Sequence, residues 1–253
     1  PARDSAKDVH PWLKDFETKT IRAEACFRAA MDLKRRGYEP DTIIAHPGWG
    51  EALFLSRVWP NAKIGLYCEL YYQESGADTD FDPEFPTDDV EGNACRLQLK
   101  NLNNILQFRE FDAAIAPTSW QASTFPDEIA ERIDVIHDGI DTEKLKPNSA
   151  VRLGLQRDGQ TETLTHEDEI ITFVNRNLEP MRGFHKFMRA VPELLARRPR
   201  ARILVVGGDD VSYGRRPNID THGHSKWKDV FIAEIRAEIS GADWSRIHFL
   251  GQL

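Results

Sequence analysis

The amino-acid sequence predicts an α/β protein built from two lobes with parallel sheets. Short apolar strands alternate with helix-length amphipathic stretches through most of the chain. One polar, glycine-containing stretch, 148–168, interrupts that alternation, which then resumes. Buried strands separated by helices of this length imply parallel sheets with helices on both faces. The expected division is a first lobe at 1–140, a connector at 141–168 and a second lobe at 169–253, with both sheets incomplete at the chain ends.

Residues 12–36 read as an amphipathic helix, with Ile21, Ala25 and Ala29 on one side and Gly37 as its stop. "DTIIAH" (41–46) is a short buried strand. "GEALFLSRVW" (50–59) is a helix ended by Pro60, and "AKIGLYCE" (62–69) is a second strand. A loop rich in Asp and Pro (74–89) leads to a long helix near 91–109. "DAAIAP" (112–117) is the next strand, with Thr118 or Ser119 capping the helix after it. The apolar run Ile133, Val135, Ile136 then breaks into "HDGID" (137–141), which reads either as an ordinary strand end or as a crossing between lobes. Residues 148–168 show no clear period and read as connector. Beyond them come the strand "EIITFV" (169–174), the helix 183–198 and the strand "ARILVVGG" (201–208). A helix over 226–240 with Val230, Phe231, Ile235 and Ile239 inside and a strand in "IHFLGQL" follow.

The totals exclude several classes. A net charge of −8 argues against a nucleic-acid partner, which needs a basic face. No apolar run approaches the roughly 18 residues of a membrane span. Three scattered cysteines, Cys26, Cys68 and Cys95, offer no disulfide framework or paired-cysteine zinc site and point to a reducing compartment. No glycine cluster matches the dinucleotide fingerprint. Asp78, Asp80 and Asp82 alternate as in a calcium loop, but Pro83 occupies the place where glycine is needed, and no metal site is expected.

In open parallel sheets, ligands bind beyond the carboxyl ends of the strands. The segment "NRNLEPMRGF" (175–184) places Arg176 and Arg182 there, with a helix opening at Gly183. Helix-start amides and two guanidinium groups suit phosphate oxygens. The alternative is that both arginines pair with Glu179 or solvent. In "HPGWGE" (46–51), Gly48, Trp49 and Gly50 offer an indole for a sugar ring, and His46 a proton donor or acceptor. The alternative places Trp49 in the core and His46 as a helix cap. Glu69, in "CELYY", could orient or deprotonate a hydroxyl, or simply be a surface glutamate. "GGDD" supplies Gly207, Gly208 and Asp209 after another strand.

Together, "VIHDGIDTEKLKP", "FVNRNLEPMRGFHKFMRAVPELLARRP", "ARILVVGGD" and "HFLGQL" resemble the middle of a family-4 glycosyltransferase of the GT-B fold. "HPGWGEALF" and "YCELYY" resemble the acceptor lobe of one bacterial branch. The resemblance implies two Rossmann-like lobes and retaining transfer of a hexose from a nucleotide diphosphate sugar, without an obligatory cofactor or metal. It assigns Arg176 to the donor diphosphate, with Arg182 standing where relatives have lysine before Gly183. It places Gly207, Gly208 and Asp209 on the nucleotide side, and Asp138, Gly139 and Asp141 at the hinge. Glu69 stands near the place of a family histidine, with His46 one strand earlier, and these two are the catalytic candidates. The family's pair of glutamates seven residues apart is not in the sequence, which motivates a rival expectation of a non-catalytic nucleotide-binding module. The chain is expected to be an internal piece, inactive by itself. The implied partners are a nucleotide sugar and a carbohydrate or lipid-linked acceptor in polysaccharide biosynthesis. The implied location is cytoplasmic, with peripheral association at the inner membrane face.

Overall fold

The computed structural model of the protein describes residues 3–157 and 159–253. Two compact units are present, Pro1–Ile140 and Asp141–Leu253.

The first unit begins with a turn of 3-10 helix, Pro11–Leu13, that runs into α1, Lys14–Arg35. Asp15 and Glu17 in its first turn and Lys34 and Arg35 in its last complement the helix dipole. Its buried positions are Ile21, Ala23 and Ala30, with Phe27 and Met31 packed beside Ala30. Ala25 and Ala29, expected to face inward, are exposed. Small residues lie all round this helix, so the larger side chains decide which stripe is buried. Four parallel strands follow in sheet order: β1 (Thr42–Ala45), β2 (Lys63–Tyr67), β3 (Ala113–Ala116) and β4 (Ile133–Val135).

Between β1 and β2, only Leu55–Val58 is α-helical (α2), where the pattern predicts a helix over 50–59. Gly50 itself lies outside the helix, with φ at +92° and an added Cβ 2.7 Å from the Lys19 carbonyl oxygen. Only glycine tolerates that combination. The long helix expected near 91–109 is two helices, α3 (Val90–Lys100) and α4 (Leu102–Gln107), joined at Asn101. Short helices α5 (Ser119–Ala122) and α6 (Asp127–Ala130) complete the unit, with the Thr118 hydroxyl accepting the Gln121 amide at the start of α5. The core joins Leu66, Cys68, Phe108, Phe111, Ala114 and Phe125.

The second unit corrects the reading of 148–168. Arg152–Arg157 (β5) and Gln160–Thr165 (β6) form an antiparallel hairpin. Leu155 and Leu164 are buried against Leu204 of the neighbouring sheet, and Arg202 donates to Glu162 at 2.7 Å. The period-two signal is thin there, with three leucines among polar residues and a glycine in the strand itself. Packing on the sheet supplies what the sequence pattern lacks. That sheet is three parallel strands, β7 (Ile170–Asn177), β8 (Arg202–Gly208) and β9 (Ile247–Gly251). Its helices are α7 (Phe184–Arg197), α8 (Ile219–His222), α9 (Trp227–Ile235) and α10 (Gly241–Trp244). The helix predicted over 226–240 therefore ends early, at Ile235, although Phe231, Ile235 and Ile239 are all buried.

Candidate active site

At the carboxyl end of the first sheet, β1 and β2 bring two sequence-predicted residues together. His46 follows β1, and Glu69 lies two residues beyond β2, whose parallel register sets Ala45 beside Leu66. His46 Nε2 and Glu69 Oε2 are 2.9 Å apart. The other ring nitrogen, Nδ1, accepts the Gly48 amide at 3.0 Å. The ring proton therefore sits on Nε2 and is donated to Glu69. A Cβ at Gly48 would stand 2.7 Å from His46 Cε1, so the ring needs the bare backbone beneath it. Trp49 stacks on the other side, with ring centroids 4.5 Å apart and planes at 14°. Both ring nitrogens are engaged, Nε2 on Glu69 and Nδ1 on the Gly48 amide. Glu69 keeps Oε1 without a hydrogen bond among the described residues.

Trp49 is 56% exposed, so the alternative that buries it in the core does not hold. His46 does cap the following turn, as that alternative proposed, while also holding Glu69. Tyr67, which the sequence reading passed over, donates to both carboxylate oxygens of Asp138 at 2.8 and 3.0 Å. That hydrogen bond pushes its hydroxyl up to about 12. Gly139 donates its amide to His137 Nδ1 at 2.9 Å, and Asp141 accepts the amides of Glu143 and Lys144.

At the carboxyl end of the second sheet, Arg176 is the exposed penultimate residue of β7. Arg182 ends a 3-10 turn, Pro180–Arg182, and Gly183 (φ +73°) swings the chain into α7. The Arg182 guanidinium lies over the Tyr213 ring, 4.9 Å from its centroid, while its Nε is buried without a partner. Neither arginine has an ion pair among the described residues. Glu179, their suggested partner, is wholly buried. Its carboxylate accepts the amides of Ser212 at 2.9 Å and Gly214 at 3.1 Å, with Tyr213 at 3.5 Å. The pairing alternative with Glu179 is thus not realised, and this buried carboxylate instead shapes the loop carrying Tyr213.

Gly207 and Gly208 make close contact inside the unit. Added Cβ atoms would stand 2.7 Å from Leu178 Cδ2 and 2.6 Å from Asn177 Oδ1. Their bareness lets the loop after β7 lie on β8. Asp209 bonds Lys226 at 2.9 Å and Lys228 at 2.6 Å. Burial works to raise its carboxyl, but the hydrogen bonds from Lys228 and Lys226 overcome that and hold it below the usual carboxylate range. Asp209 is therefore committed to two lysines.

A family model for the glycosyl transferase family 4 group matches residues 1–145, more than half of the chain. The chain belongs to that family. No curated protein matches it. Its partners are accordingly a sugar donor and an acceptor, and its two parallel sheets are the Rossmann-like lobes expected of the fold. Among the described residues of this glycosyltransferase, no helix is long and apolar enough to cross a membrane. Its cysteines are free, with Cys68 buried and Cys95 exposed. In the acidic loop, Asp82 is buried and accepts the Glu84 amide at 3.0 Å, a local turn. Tyr213 and Tyr67 were missed because a lone tyrosine has no spacing to mark it. The one available signal was position, since each lies at or just after the carboxyl end of a strand.

Proposed function

We propose that this glycosyltransferase moves a sugar from a nucleotide diphosphate sugar to an acceptor hydroxyl, with retention at the anomeric carbon. The second unit takes the donor diphosphate on Arg176 and Arg182. In the transition state the glycosidic bond to phosphate breaks and negative charge gathers on the departing diphosphate. Donors already aimed at that charge stabilise it without reorganising. The first unit takes the acceptor, whose hydroxyl is oriented by Glu69 Oε1 and gives its proton to that carboxylate as the new bond forms. His46 is a positioning residue for Glu69. The sugar is read as a hexose, and the acceptor as a carbohydrate or lipid-linked glycan of polysaccharide biosynthesis at the cytoplasmic membrane face. That part rests on the family resemblance alone.

The observation that carries the proposal is the state of Arg182. It has a buried, unpartnered Nε and is stacked on Tyr213, while the Glu179 carboxylate is consumed by backbone amides. A guanidinium left in that state suits a phosphate oxygen. Calorimetric titration of nucleoside diphosphates, with turnover of the matching sugar donor, tests it. Arg182→Ala and Arg176→Ala should each lower kcat by about a hundred- to a thousand-fold, about 3–4 kcal/mol of barrier. Undiminished turnover in both variants overturns the proposal.

A further inference from the structure

The first unit contains a cavity of about 710 Å³ that the His46–Glu69 pair does not line. Its walls are residues 71–75 leaving β2, the junction of α3 with α4, and Thr124–Pro126 after α5. The volume falls within the range of about 300–1,000 Å³ that holds small ligands. From this cavity we infer a binding site for a neutral glycan, the ring of the acceptor next to the hydroxyl that reacts. The inference rests on the glycosyl-transfer reading above.

Charge makes the first argument. Of the fourteen lining residues Glu74 alone carries a charge, and it is a carboxylate. A phosphate or a fatty-acid headgroup would meet no cation on these walls. Lys100 stands close by but is engaged on the Tyr72 ring, 3.5 Å from its centroid. Chemistry makes the second. Tyr71, Tyr72 and Phe125 provide aromatic surface, while Gln98 provides a side-chain amide and Gln73 Oε1 and Ser75 further polar atoms. Apolar faces edged by polar atoms match a hydroxylated ring, with its C–H face on an aromatic and its hydroxyls on polar groups.

The walls are also held in place before any ligand arrives. Asn101, nearly fully buried, grips the Tyr72 backbone at both ends. Its Oδ1 accepts the Tyr72 amide at 3.1 Å and its Nδ2 donates to the Tyr72 carbonyl at 2.8 Å. Thr124 Oγ1 accepts the Tyr71 amide at 3.0 Å, and Gln73 donates to the Thr124 carbonyl. Pre-organisation of this kind lowers the ordering cost of binding. Glu69 is two residues before Tyr71, so their Cα atoms are at most about 7 Å apart. The cavity wall therefore begins close along the chain to the proposed proton acceptor.

Saturation-transfer NMR on the full chain tests this, using methyl α-glucoside, methyl α-mannoside, lactose and maltose as probes. Glucose 6-phosphate and octanol serve as the charged and apolar controls. At least one neutral glycoside should bind, and Ile105→Trp, which fills the cavity from an exposed rim position, should weaken it at least tenfold. Tyr72→Ala should do the same, and thermal melting of both variants should confirm that they fold. The inference is overturned if no neutral glycoside binds, if a control binds in preference, or if a folded Ile105→Trp binds as wild type does. Nucleoside diphosphate titration of wild type and Arg182→Ala is read separately. Intact diphosphate binding without glycoside binding sinks the cavity inference alone, whereas loss of Arg182 dependence sinks the parent proposal.

Discussion

Beside its candidate site the first unit half-buries a cation, Lys19, and presents a carboxylate, while the second buries a carboxylate and presents two guanidinium groups. In the first, the half-buried Lys19 donates to the Lys100 carbonyl at 2.9 Å and to Asn103 Oδ1 at 3.0 Å. Glu69 faces outward on a neutral histidine. In the second, Glu179 sinks onto backbone amides while Arg176 and Arg182 are left without anionic partners among the described residues. Both sheets are parallel and both faces lie at strand carboxyl ends, so architecture alone does not set the sign. Beside each site the two units differ in which charge is absorbed. Carbonyls take the lysine and amides take the glutamate, and the opposite charge is left to meet a ligand.

That contrast can be broken by experiment. Replacing the outward carboxylate, Glu69→Gln, should reduce kcat by about 10²–10⁴-fold if it accepts the acceptor's proton. His46→Gln, which removes the orienting imidazole with its Gly48 cap and Trp49 stack, should cost less and leave the pH dependence of the residual activity in place. Steady-state kinetics on both variants decide it, and equal losses would make His46 more than a positioning residue. Replacing the buried carboxylate, Glu179→Leu, should strand the amides of Ser212 and Gly214 and cost about 3 kcal/mol of stability. Urea unfolding measures that loss, and Arg182-dependent diphosphate binding should weaken with it as Tyr213 moves.

The smallest effect concerns Lys19. Burial, aided by the charge of Lys100, lowers its pKa from the ordinary 10.5 to about 8. Between those values the unfolded chain binds more protons than the folded one, so the Lys19 contribution to stability rises as pH climbs from about 8 to 10.5. The difference in urea midpoint between wild type and Lys19→Met should therefore grow in favour of wild type between pH 7.5 and 10. A difference that stays flat would show that Lys19 is as well solvated as a surface lysine.

Much of this protein was legible in its residues. Apolar runs such as Ile203–Val206, spaced by helical stretches, imply parallel sheets, because strands covered on both faces are apolar throughout, whereas the run in edge strand β1 leaves Ile44 exposed. The rule that ligands gather past strand ends pointed to His46, Glu69, Arg176 and Arg182. Local pattern failed where long-range packing outweighed it. The β5–β6 hairpin owes its burial to Leu204, some forty residues away, and the helix near 91–109 breaks where Asn101 turns to hold Tyr72.

The sequence by itself thus determined the fold class, most of the strands and the short list of residues at their ends. Periodicity and turn chemistry are local properties, and the chain writes them directly. Only the tertiary structure decided what those residues do. Whether Glu179 pairs with an arginine or with three amides, whether His46 gives a proton or aims a carboxylate, and whether Tyr71 and Tyr72 close a core or line a cavity depend on contacts between distant segments. Hydrogen-bond partners and burial are set by distance in space, and that exists only once the chain has folded.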